Sequence, residues 1–114
     1  MSDFLRPPSF TEEEIERRTE VRGPVKGMTC ALPDGRRGDV LEAGRRGVFV
    51  AVDDPDSLAL GARLEVTIHG PSSHAAGRVD VVRKEIQPRR GVALLIVHMS
   101  PAAEAAYDAM LGER

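Results

Sequence analysis

Aromatic side chains are scarce in this chain. It has no tryptophan, one tyrosine and three phenylalanines in 114 residues. A core made without them must rest on Val, Leu, Ile and Ala, and the ring platform on which single-stranded nucleic acids stack is missing. Lysine is nearly absent too. Lys26 and Lys84 stand against fourteen arginines. Cysteine occurs once, as Cys30. No internal disulfide can form, and the apolar run Met28-Thr29-Cys30-Ala31-Leu32 with no flanking His or acid reads as a buried structural thiol, not a nucleophile. No stretch approaches the ~20 apolar residues of a membrane span. The longest, Val92 to Val97, is strand-sized. Met1 to Phe10 is short, polar and broken by proline, unlike a signal peptide. The expectation is a soluble, cytoplasmic protein without membrane insertion.

What is present describes one ordinary domain. Hydrophobic residues make up 41% and charged residues 30% of the chain, a balance that excludes a disordered polymer. A formal charge of −2 argues against a general binder of DNA or RNA. The arginine excess is the one compositional lead. Arg recognises phosphates and guanine in a planar, bidentate way, whereas a GC-rich genome also raises Arg over Lys with no function attached.

Along the chain, residues 1–10 read as an irregular tail and residues 11–114 as the domain. Thr11 and Glu14 form a capping box before a short helix over about residues 12–18, which Gly23-Pro24 prevents from continuing. Strand signals follow. Val25 to Leu32, Gly38 to Ala43 and Gly47 to Val52 are predicted strands, followed by an acidic, proline-containing loop from Asp53 to Gly61. Residues 62–69 alternate most cleanly, with Leu64, Val66 and Ile68 on one face. Ala76 to Ile86, carrying Val79, Val81 and Val82, and Gly91 to Met99 complete six strands. Ser100 caps a last helix that has Pro101 at its first position and runs to about Leu111. Its apolar stripe is Ala103, Ala106, Tyr107, Met110 and Leu111. Short strands joined by tight turns predict a mainly β fold, a small antiparallel barrel or sandwich, with helices at the chain ends.

Enzyme chemistry finds no support. His69, His74 and His98 do not pair with a Cys or carboxylate at ligand spacing, so no zinc or non-haem iron site is expected. Ser72 and Ser73 lack the glycine elbow of a hydrolase, and no phosphate-cradling glycine loop opens a helix. Arg17, Arg18 and Arg22 form a cluster where the first helix gives way to the strands, with R-x-x-x-R spacing between the last two. Guanidinium groups there can grip phosphates or donate to guanine O6 and N7. They can equally pair with Glu13, Glu14, Glu16 and Glu20 at helical spacing. Arg36, Arg37, Arg89 and Arg90 fall in turns and read as solvated surface charge.

The R-x-x-x-R of Arg18 and Arg22, followed by about six strands and a terminal helix, resembles the PilZ domain family over about residues 12–112. Val48-Phe49-Val50 after a glycine, Leu58 to Val66, Gly77-Arg78-Val79, Gly91-Val92-Ala93 and the helix after Ser100 also fit its pattern. The family's second motif, Asp/Asn-x-Ser-x-x-Gly, becomes Glu42-Ala43-Gly44-Arg45-Arg46-Gly47 here. Its final glycine is kept. The acid is one methylene longer and the serine hydroxyl is gone. The resemblance implies a six-stranded antiparallel barrel and a non-catalytic bacterial signalling module that acts on a protein partner in motility or surface behaviour. Its implied ligand is cyclic di-GMP, held by Arg17, Arg18, Arg22, Glu42, Gly44, Arg45, Arg46 and Gly47. The departures at Glu42 and Gly44 keep open an adaptor that binds no nucleotide and works by protein contacts alone.

Overall fold

The computed structural model describes residues 23–112. The tail over 1–10, the helix predicted over 12–18 and the cluster Arg17, Arg18 and Arg22 all lie outside the described residues. Within them the chain runs β1 (Gly23–Pro24), β2 (Thr29–Ala31), β3 (Arg37–Ala43), β4 (Gly47–Ala51), β5 (Arg63–His69), β6 (His74–Glu85), β7 (Gly91–Met99) and α1 (Pro101–Gly112). Every pairing is antiparallel, and the pairing of β3 with β4 closes the order β3-β2-β5-β6-β7-β4 into a six-stranded barrel.

The first predicted strand is split. β1 pairs Gly23 and Pro24 with Ala43 and Glu42, while β2 pairs Thr29 to Ala31 with Asp39 to Arg37. The opposite side of β3 is taken by β4, so β1 and β2 share one slot of the barrel. Gly27 separates them at φ 79°, in the left-handed region that breaks a strand. The other strand boundaries fall within a residue or two of expectation. The loop after β4 holds a short 3₁₀ turn, Pro55–Ser57.

Alternation explains the core. Val66 and Ile68 of β5, Val48 and Val50 of β4, and Val79 and Val81 of β6 pack inside with Val92 and Leu94 of β7. Each such aliphatic side chain contributes about 1.5–3 kcal/mol when fully buried. Alternation after Val79 and Val81 places Val82 outward, 52% exposed, and a register shift between Val81 and Arg83 leaves Arg83 outward beside it. Cys30 is fully buried, and burial pushes its thiol pKa up to about 12, so the expected inert thiol is found. No buried side-chain polar atom lacks a partner among the described residues.

The terminal helix forms as its sequence dictates. Ser100 Oγ accepts the Ala103 N–H at 3.1 Å, and Tyr107 and Met110 are the buried centre of the expected stripe. α1 packs on β6 and β7 at the barrel end where β3 turns into β4 and β5 into β6. There the Tyr107 hydroxyl donates to the Gly44 carbonyl at 2.5 Å. Pro55 and Leu58 are buried in the loop that joins the far ends of β4 and β5. No helix among the described residues is long and apolar enough to cross a membrane.

Tyr107→Phe keeps the ring and removes the donor, leaving a buried carbonyl unpaired. It should destabilise the fold by about 1–3 kcal/mol in urea unfolding, with the unfolding slope unchanged.

Candidate functional site

Five of the expected site residues fall in one hairpin. Glu42 closes β3 with Ala43, Gly44 to Arg46 form the turn, and Gly47 opens β4. Three contacts fix the turn. Gly44 N–H donates to the Gly47 carbonyl at 2.9 Å, the Arg46 carbonyl accepts the Ile96 N–H at 2.8 Å, and the Gly44 carbonyl accepts from Tyr107. The motif's retained glycine has a steric cause. A Cβ on Gly47 would stand 2.6 Å from the Leu94 carbonyl oxygen, closer than a side chain tolerates. Gly44 is buried, whereas Arg45 and Arg46 are exposed on the turn. On the flank of the hairpin, β1 lies against Glu42 and Ala43, so the chain enters the barrel beside this motif.

Glu42 is already engaged. Its Oε2 lies 2.9 Å from Nη1 of Arg89, which comes from the β6–β7 turn. The same guanidinium donates to Glu85 from Nε at 3.4 Å and from Nη2 at 3.2 Å. Arg83 Nη2 reaches Glu85 Oε2 at 2.9 Å. Beneath this chain of charges lies the Phe49 ring, whose centroid is 4.0 Å from Arg89 Cζ. Val48 and Val50 occupy the core, so Phe49 points the other way, yet it is only 2% exposed. An arginine over an aromatic face contributes about 0.5–1 kcal/mol at exposed sites and more when desolvated. Two acids on one guanidinium hold the cation where it covers the ring. The hydrogen bonds from Arg89, then the nearby charges of Arg89 and Arg83, lower the Glu85 pKa below its usual 4.5.

Sequence reasoning missed this cluster, because Arg89 read as a solvated turn residue. In the fold it is half-buried and triply engaged. Two signals were available. Glu85 and Arg89 are four residues apart, and Phe49 is an aromatic in an outward register of a strand. The pairing of Arg89 with Glu42 is visible only in three dimensions. The other turn arginines divide. Arg36 binds Asp34 on the surface, Arg37 belongs to β3, and Arg90 is exposed.

A cleft of about 290 Å³ adjoins the hairpin, lined by Arg45 with Ile96, Met99, Glu104, Tyr107 and Asp108. Arg45 therefore shares its cleft with two carboxylates. A more open groove of about 630 Å³, lined by Leu32, Thr67, Gly77, Arg78 and His98 among others, includes none of the expected site residues. The chain matches no family model and no curated protein.

The structure thus brings Glu42, Gly44, Arg45, Arg46 and Gly47 together, and it adds Arg89, Glu85 and Phe49. Carbon-13 NMR titration of the Glu85 carboxyl should give a midpoint below 4.5 in the wild type and a rise toward that value in Arg89→Met. The sign for stability follows. A lowered folded pKa favours the folded state above the unfolded value of about 4.3, and this contribution is lost as pH falls through the folded pKa. The stability gap between wild type and Arg89→Met should therefore narrow on acidification.

Proposed function

We propose that the chain is a non-catalytic, PilZ-like signalling module that binds cyclic di-GMP and passes the signal to a protein partner in motility or surface-behaviour control. The observation that carries this reading is the pairing of β1 with Glu42 and Ala43. β1 begins at Gly23, so Arg22 is one peptide bond from the strand that flanks the second motif. Phosphates of the dinucleotide would be gripped bidentately by Arg18 and Arg22, with Arg17 nearby, while Arg45 and Arg46 reach in from the turn. Glu42 supplies a carboxylate acceptor for a guanine edge, and Gly44 and Gly47 supply backbone only.

One observation favours the adaptor reading. Glu42 is held by Arg89, and Glu104 and Asp108 line the cleft of Arg45, so the acceptor is occupied and the field around the turn is mixed. The adaptor works by protein contacts alone.

Titration calorimetry with cyclic di-GMP separates the two. The proposal expects saturable binding that weakens about ten- to a hundredfold in Arg18→Ala and in Arg22→Ala, the loss of one charge-assisted contact each. No heat from the wild type at high micromolar ligand would overturn it and leave the adaptor, for which both variants keep partner binding intact.

A further inference from the structure

On the β5–β6 hairpin, two histidines face one another. His69 ends β5, His74 begins β6, and the two are register partners on the last rung before the turn. Gly70 N–H donates to the Ser73 carbonyl at 2.7 Å, which closes the turn. Rungs of an antiparallel ladder alternate between hydrogen-bonded and non-hydrogen-bonded pairs, and the second kind brings side chains closer. Gly70 and Ser73 form the bonded rung, so His69 and His74 form the close one. Their strand neighbours Ile68 and Ala75 are buried, so both imidazoles stand on the outer face. The ring centroids are 5.8 Å apart, with planes inclined by 33°. An ion bound to two imidazoles through bonds of about 2.0–2.1 Å holds their centroids about 4.5 Å apart at a right angle and about 5.2 Å apart at the tetrahedral angle, so the rings reach it by drawing in by about an ångström.

We propose that His69 and His74 form a surface chelate for a late first-row divalent metal ion. The four residues between them fall within the spacing of paired histidine ligands. Imidazole nitrogen suits zinc, nickel and copper, with affinity highest for Cu²⁺. The strands that carry the ligands are held in register before the ion arrives. A Cβ on Gly70 would stand 2.8 Å from Met110 Cγ, so the turn is packed against α1 and the ladder below it is fixed in register. Binding has only the two imidazole side chains left to order. No group of three metal-ligating side chains occurs among the described residues, so water completes the coordination sphere and the site is open. This site is on a different hairpin from Glu42 to Gly47 and is independent of the cyclic di-GMP reading.

The test uses tag-free full-length protein titrated with Cu²⁺ and with Zn²⁺ by calorimetry, with electron paramagnetic resonance on the copper adduct. The expected result is one tight equivalent of Cu²⁺, bound more strongly than Zn²⁺, with two nitrogen donors and a raised Tm. His74→Ala, at an exposed position, should weaken Cu²⁺ binding at least about tenfold. His98→Ala should leave it unchanged. A one-nitrogen spectrum, unaltered affinity in His74→Ala, or an equal loss in His98→Ala would overturn the proposal.

Discussion

The hydrogen bond from the Tyr107 hydroxyl to the Gly44 carbonyl ties the end of the chain to the hairpin that carries the candidate site. It joins two parts that form for separate local reasons. The helix forms because Ser100 caps it and its apolar stripe needs cover. The hairpin forms because Gly47 lets β4 approach β7. The phenol fixes one against the other, and its ring fills the barrel end beside Met110. The positions of Arg45, of the cleft beside it and of the acids on α1 all depend on that anchor.

Charge around the hairpin is organised, not merely abundant. Arg89 serves two acids and one aromatic at once, so its guanidinium is fully used within the protein. An incoming phosphate would have to compete with Glu42 and Glu85 for it. Arg45 and Arg46 carry their charge on the exposed turn, nearer to solvent. The two functional readings differ in whether the arginine segment preceding β1 outweighs the acids already in place. That is a question of local field, and the net charge of the chain does not answer it.

Much of the architecture was legible because its causes are local. The alternation of Leu64, Val66 and Ile68, the glycines and prolines between strands, the Ser100-Pro101 start and the stripe through Tyr107 each fix an element within a short window. The split of the first strand was not legible, since a positive φ at Gly27 is set by how the chain crosses β3. Nor was the register shift against β7 that leaves Val82 and Arg83 both outward. Of the site, the five hairpin residues could be placed together from sequence, because they are contiguous. Arg89 could not, because residues distant in the chain meet only when β4 lies between them on the closed barrel.

The glycines hold a further consequence for recognition. A Cβ on Gly38 or on Gly91 would stand 2.1 or 2.2 Å from the carbonyl oxygens of Ala51 and Val50, closer still than at Gly47. Strands drawn this near leave an interior occupied by the protein's own valines, leucines and isoleucine. The barrel is a solid body, not a container. A ligand of the proposed signalling module would be read from the outer wall and the rims, by side chains that solvent also reaches, so its selectivity would come from the placing of charges and not from enclosure.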